Sequence, residues 1–338
     1  MLKYLFSGLT FSLLLVVFAC KNDSKPAPST NTEAQPDPQL AQLTALIEKT
    51  PNNDTLYFKR AEVYYQLDGF DEALADLNKA LSIDSMKPQY YHLLADVLID
   101  YARPNDSKRA IDVLKLAANR FPGRIPTLLK LSEFHLIVQQ HNEALGALNK
   151  ILEQDPQNAE AFFMTGRVAL DMGDSTRAVN ALQKSVRLDA ENADAWYFLG
   201  RLFYEKNNPL CLQYFDNALR VDSNYIEARE FKGIYYKRKK DFTKAFEIYR
   251  DMIVRYPDYP NPYFDMGIIY LDQDSLDKAY SNFDLAIKTD PLFIRAFYYR
   301  GLVSEQLGNI DAARADYSTA SKMAPNYEEP KAALARLK

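Results

Sequence analysis

The stretch ADAWYFLGRLFYEKNNPLCLQYFDNALRVDSNY, residues 193–225, decides the fold. Within it Gly200 stands four places after Trp196, and Phe215 stands four places after Cys211. Residues four apart share one face of a helix, so each pair sets a small side chain beside a large one. Between the pairs runs Lys206-Asn207-Asn208-Pro209, a polar segment with a turn signature. The stretch therefore reads as two antiparallel helices that approach closely where the small residues lie, with the large residue filling the groove beside them.

Working outward, the same signature recurs through most of the chain. The first small residue reappears as Ala61, Ala95, Ser132, Gly166, Gly200, Gly233, Gly267 and Gly301, at spacings of 33, 34 or 37. A large residue precedes it by four in every unit except the one with Arg229. The second small residue is Ala73, Ala110, Ala144, Ala178, Cys211, Ala245, Ala279 or Ala313, and the second large one Leu77, Leu114, Leu148, Leu182, Phe215, Tyr249, Phe283 or Tyr317. Most units close on a helix breaker, as Pro122, Pro156, Pro257, Pro291 and Pro325 show. A period of this length in register eight times is the mark of a solenoid. The array is similar to the tetratricopeptide repeat family. That resemblance implies an all-α fold: an α-solenoid of about eight helix-turn-helix repeats in a right-handed superhelix with a C-terminal capping helix. The units are expected at 54–87, 88–124, 125–158, 159–192, 193–225, 226–259, 260–293 and 294–327. Three extra residues near Ala102 to Ser107 and one fewer near Lys206 to Leu210 alter turns without ending the register. Turn pairs such as Asp68-Gly69, Gly173-Asp174 and Gly308-Asn309 place glycine where a positive φ is cheap. A single helix pair cannot bury its apolar face, so the ends need caps. Residues 39–53, with Leu43 and Leu46 at packing positions, read as a capping half-repeat, and residues 328–338 as a capping helix.

The amino terminus reads as an address. Lys3 precedes an apolar run that stops at Val17-Phe18-Ala19-Cys20, the layout of a secretory signal peptide over residues 1–19. The run is shorter than the roughly 20 residues that span a bilayer. Its ending resembles the lipobox of bacterial lipoproteins, which implies cleavage before Cys20 and acylation of that residue. Each buried methylene of an acyl chain contributes about 0.8 kcal/mol, so several chains hold a protein firmly on a membrane. Residues 20–38 continue as KNDSKPAPSTNTEAQPDP after the cysteine and bury too little apolar surface to fold, so they read as a tether. These features place the chain in the bacterial envelope, with the outer membrane favoured and the solenoid in the periplasm or at the cell surface. Which membrane leaflet carries the anchor stays open.

Composition narrows the chemistry. In 338 residues there are 2 Cys and 3 His, too few for a disulfide framework or a Cys/His metal cluster. The formal net charge of -4 gives no general attraction to nucleic acid. There is no glycine-rich phosphate loop and no nucleophile elbow, so neither a catalytic residue, a cofactor nor a metal is expected, and an enzyme is disfavoured. Partners are expected to be proteins or peptides, with the membrane reached through the anchor and the oligomeric state open.

The family resemblance implies where such partners bind. The first helix of each pair lines a concave surface, and contacts often come from its second, fifth, ninth, twelfth and thirteenth positions. The fifth position reads Phe58, His92, Leu129, Phe163, Tyr197, Glu230, Phe264 and Tyr298. The ninth reads Glu62, Asp96, Glu133, Arg167, Arg201, Ile234, Ile268 and Leu302. The expected groove therefore combines the aromatics Phe58, Phe163, Tyr197, Phe264 and Tyr298 with the cations Arg167, Arg201, Lys237 and Arg238. Aromatics give contact area at low entropic cost, and arginines grip carboxylates, so an acidic peptide segment fits. A glycan or small ligand stacked on the aromatics is the alternative. The carboxylate-clamp pattern of chaperone-binding members is not reproduced. The run Lys237-Arg238-Lys239-Lys240 falls at a helix end, where cations complement the helix dipole.

Overall fold

A computed structural model describes residues 37–337, and these form 18 α-helices. The helix over Pro38–Lys49 is α1. Eight pairs follow: α2 and α3 (Asp54–Gln66, Phe70–Ile83), α4 and α5 (Pro88–Tyr101, Asp106–Arg120), α6 and α7 (Ile125–Ile137, His141–Gln154), α8 and α9 (Ala159–Asp171, Ser175–Leu188). The second four are α10 and α11 (Ala193–Glu205, Cys211–Val221), α12 and α13 (Ile226–Arg238, Phe242–Arg255), α14 and α15 (Asn261–Asp272, Leu276–Thr289), α16 and α17 (Ile294–Gln306, Ile310–Met323). The last helix, α18, runs over Glu328–Arg336. Each helix packs on its predecessor and successor in the chain, which is the all-α solenoid expected from the period. Cys20, the signal segment and most of the tether lie outside the described residues.

The small-large pairing decides how each unit closes. The second large residue of every unit, from Leu77 through Leu182 and Phe215 to Tyr317, has no exposed surface. In the later units its ring lies against a glycine of the first helix. A Cβ built on Gly200 would stand 2.4 Å from Phe215 Cε1, and one on Gly233 2.4 Å from Tyr249 Cε1. Real carbon contacts settle at about 3.5–4.0 Å, so no larger residue fits there without a shift. Units one to three carry Ala61, Ala95 and Ser132 instead, and set the slimmer Leu77, Leu114 and Leu148 opposite them.

Side-chain caps start several helices: Asn158 accepts from Ala161 N at 2.9 Å, Asn192 from Ala195 N at 2.8 Å, and Asp174 from Arg177 N at 3.0 Å. Except in the second unit, the turn inside each pair closes on one left-handed residue. The amide after it reaches back five residues, as Asp174 N does to Ala169 O at 2.8 Å and Asn309 N to Ser304 O at 2.8 Å. Glycine fills that left-handed place at Gly173 (φ 75°) and Gly308 (φ 79°). In the first unit the expectation fails: Gly69 has φ −79°, and Asp68 takes the positive φ of 58°. Gln139, Asn207, Lys240 and Asp274 take it elsewhere. The closing hydrogen bond and the packed pair thus outweigh a cost of about 1–2 kcal/mol for an L-residue in that region.

The two altered turns have local solutions. In the long one, Ala102 and Asn105 are both left-handed, and the buried Asp106 accepts from Arg103 Nε at 3.1 Å and from the Arg109 guanidinium. In the short one, Asn208 Oδ1 accepts from Leu210 N at 3.0 Å, and α11 begins late, at Cys211. The Cys211 thiol is fully buried, and burial pushes its pKa up.

A candidate protein-binding face

The first helix of each pair lies on the inside of the curve. Helices two apart that touch are α2 and α4, α4 and α6, α6 and α8, α10 and α12, and α12 and α14. All are first helices, so they crowd together on one side while the second helices fan apart on the other. The ninth position faces that inner side. Glu62 is exposed there, and Asp96, Glu133, Arg167, Arg201, Ile234, Ile268 and Leu302 are half-buried.

The fifth position does not form the expected aromatic stripe. Phe163 is 7% exposed, Tyr197 9% and Phe264 3%. Their rings fill the seams between units. Tyr197 lies 5.1 Å from Tyr225, at the end of its own unit, and 6.0 Å from Phe231 of the next. Phe264 lies 5.2 Å from Phe293 and 5.3 Å from Tyr299, and Phe163 lies 6.2 Å from Phe198. Phe58 is half-buried and stacks on Tyr90 at 4.7 Å. Tyr298, also half-buried, packs edge-on against Tyr327 at 5.5 Å, where α18 begins. The reason is energetic: a repeat unit has no other way to bury its leading edge, and each aromatic contributes about 1.5–3 kcal/mol on leaving water. Phe163, Tyr197 and Phe264 are therefore supports behind the face.

The expected cations divide into two kinds. Arg167 and Arg201 keep to the inner face. The Arg167 guanidinium sits 5.9 Å from the Phe163 ring, and that of Arg201 5.7 Å from the Phe231 ring, with Glu205 at 3.7 Å. Phe163 and Phe231 thus form platforms on which these two arginines rest. Lys237 is bound instead to the buried carboxylate of Asp265. Arg238 is exposed, lies 3.7 Å above the Tyr204 ring, and donates to Tyr204 O at 2.7 Å. It belongs to the rim of the face, where the turns are.

The structure adds carboxylates that the fifth- and ninth-position reading passed over. The second position of units four to six is Glu160, Asp194 and Glu227, and the fifth-position Glu230 stands three residues beyond the last. Glu160 is exposed, yet the surrounding protein pushes its carboxyl above the ordinary range; Arg167 pulls it down, and Glu133 and Asp194 push it up. Glu230 is raised by burial, partly offset as it accepts from Tyr259 Oη at 2.6 Å and Asn261 Nδ2 at 2.7 Å. Asp194 Oδ1 accepts from Tyr225 Oη. A column of carboxylates thus runs beside the two arginines, and its spacing of 34 and 33 was visible in the sequence. His92 Nε2 lies 2.9 Å from Thr127 Oγ1, and burial, helped by Lys130 and Arg124, lowers its pKa to about 4. Among the described residues no group of three or more His, Cys, Asp or Glu could hold a metal ion, and no helix is long and apolar enough to cross a membrane.

Comparison with known proteins agrees with this architecture. Models of the tetratricopeptide repeat match residues 54–85, 163–209 and 264–328. A DnaJ homolog subfamily C member 7 homolog of Dictyostelium discoideum is 23% identical over 144 residues, which cover 38% of this chain and 27% of that protein. The chain thus spans about a quarter of that relative. A tetratricopeptide repeat protein from Parabacteroides merdae superposes with a TM-score of 0.54 at 20% identity, over 74% of this chain and 98% of its own. PilW, described as a widely conserved type IV pilus biogenesis factor, superposes with a TM-score of 0.53 at 19% identity, over 62% of this chain and 98% of its own. At these identities the likeness to both structures is one of fold. The period, the packed small-large pairs and the family match together make the matched segments tetratricopeptide repeats within an all-α solenoid of the same period.

Proposed function

We propose that the protein is a non-catalytic scaffold, tethered to a bacterial membrane through a lipidated Cys20, whose solenoid holds protein partners of an envelope assembly or secretion system. Tetratricopeptide repeats mediate protein-protein interactions, and that general role carries over with the fold. The observation that carries the rest is the inner face. In units four to six Glu160, Asp194 and Glu227 accompany Arg167 and Arg201, whose guanidinium groups lie over the buried Phe163 ring and the half-buried Phe231 ring. Such a face offers charge-assisted hydrogen bonds to an extended chain, at positions set by rigid helices rather than loops. PilW supports the envelope setting by analogy of architecture. The signal and tether at the amino terminus support the anchor, with the outer membrane favoured and the solenoid in the periplasm or at the surface. A glycan receptor is the weaker alternative, since the aromatics it would stack on are packed into the seams.

Two measurements test the proposal. Affinity capture from gently solubilised envelopes compares the wild type with Arg167→Glu/Arg201→Glu, whose side chains stand on the face without filling the seam. Loss of a partner from the variant supports the inner face, and full retention refutes it. Cys20→Ser, followed by detergent partitioning, tests the tether: a variant that still partitions with the membrane would remove the lipid anchor from the reading.

A further inference from the structure

The rim of the solenoid carries a second charged surface, separate from the inner face. Lys206 caps α10, and Arg238, Lys239 and Lys240 end α12 and begin the turn after it. All four are exposed. They come from neighbouring units, and Arg238 joins the two turns directly by donating to Tyr204 O and lying across the Tyr204 ring. The nearby carboxylates are already held by other cations: Glu205 by Arg201 at 3.7 Å, Asp241 by Lys244 at 3.0 Å, and Asp265 by Lys237. None of the four rim cations forms an ion pair with a described residue. Four like charges over two adjacent turns repel one another, and an anionic partner relieves that repulsion.

The surroundings select the kind of partner. The turn before the patch carries Asp171 and Asp174, and the turn after it Asp272 and Asp274, all exposed. A planar anionic membrane or a long nucleic-acid backbone laid along this rim would meet those four aspartates as well as the cations. A short run of carboxylates meets the cations alone. We propose that this rim patch docks a short acidic segment of a partner protein, gripped by Arg238, Lys239 and Lys240 of the sixth unit and Lys206 of the fifth. The site stands whether or not the inner face binds a partner.

The test uses the mature chain and a fluorescein-labelled peptide carrying consecutive glutamates, followed by fluorescence anisotropy. Binding is expected to weaken as ionic strength rises from about 0.05 M to about 0.3 M. Lys239→Glu/Lys240→Glu should lower affinity about tenfold, since it replaces two attractions with two repulsions. Lys108→Glu/Lys115→Glu changes net charge equally on exposed α5 positions far along the chain and should leave affinity unchanged. Equal weakening by both variants would reduce the effect to net charge and overturn the proposal. So would loss of binding in Arg167→Glu/Arg201→Glu with none in the rim variant, which would place the peptide on the inner face. Phosphatidylglycerol vesicles are the third probe. If they bind through the rim cations and the peptide does not, the patch is a membrane contact and the acidic-segment assignment is wrong.

Discussion

Replacing Gly200 with alanine should destabilise the solenoid by up to about 2 kcal/mol, against the intrinsic preference of a helix for alanine. The new Cβ would lie 2.4 Å from Phe215 Cε1 and 2.5 Å from Cδ1, more than 1 Å inside contact distance. Phe215 has no exposed surface, so its ring has no free volume to swing into. Overpacking of this kind costs about 1–3 kcal/mol, and the helix-propensity gain of about 1 kcal/mol offsets only part of the upper range. Relaxation of the helix pair decides where the net falls. The molecule itself indicates the rescue: where the first unit has Ala61, the residue opposite is Leu77. Gly200→Ala/Phe215→Leu should therefore cost less than the sum of the single changes, with a coupling of about 1–2 kcal/mol. Urea unfolding of the four chains, read by far-ultraviolet circular dichroism, measures the cycle. A Gly200→Ala chain at least as stable as wild type, or strict additivity in the double variant, would refute the packing argument.

Further predictions follow from the charges and seams. Arg300 donates to both oxygens of the buried Asp316, at 2.9 and 2.7 Å, and to Asp284 at 2.6 Å. Arg300→Met should lower stability by about 3 kcal/mol, because it strands a buried carboxylate. Arg220→Met, which removes an exposed pair with Glu191, should cost less than about 1 kcal/mol in the same unfolding assay. Tyr197→Ala should cost about 3–5 kcal/mol through the seam it empties, so lost binding in that variant would report unfolding and not a lost contact. His92, with its pKa lowered to about 4 from an ordinary 6.5, is neutral in the folded chain while the unfolded chain takes up a proton. Its contribution to stability is complete above pH 6.5 and is lost as pH falls from 6.5 towards about 4. A proton titration of the ring by nuclear magnetic resonance checks the midpoint, and His92→Gln should flatten that part of the stability profile.

Which features were legible in the sequence follows from how local their causes are. The pairing of Gly200 with Phe215 joins residues within one unit, so a small-large pattern repeated eight times exposes it. The turn was legible as a turn, but the left-handed residue was not. Asp68 takes it although Gly69 is beside it, because the place is counted from the end of α2 and not chosen by residue type. The fifth-position aromatics failed for a larger-scale reason. Whether Tyr197 faces water or Phe231 depends on how one unit stacks on the next, and the residues that decide it lie 28 or more positions away. The tie between Lys237 and Asp265 spans a similar distance and was equally hidden.

The misreading of the fifth position changes what a mutation on this face means. In units four and five the arginines of the ninth position rest on rings that close the seams, so recognition and stability share the same residues. If these arginines contact a partner, as proposed, losing the ring beneath one moves both properties together. The carboxylates at the second position are different. Glu160 is exposed, and desolvation by the surrounding protein penalises its charge and raises its pKa, with Arg167 acting against that penalty. Its neighbours Glu133 and Asp194 add to that penalty. A cationic group of a partner laid against Glu160 would offset it. Glu160→Gln therefore separates the two properties that Tyr197→Ala confounds. It should leave stability unchanged or slightly raised while weakening a partner that reads this column. A loss of stability in Glu160→Gln would show that the carboxylate serves the solenoid, and the second position would then have no place in the binding face.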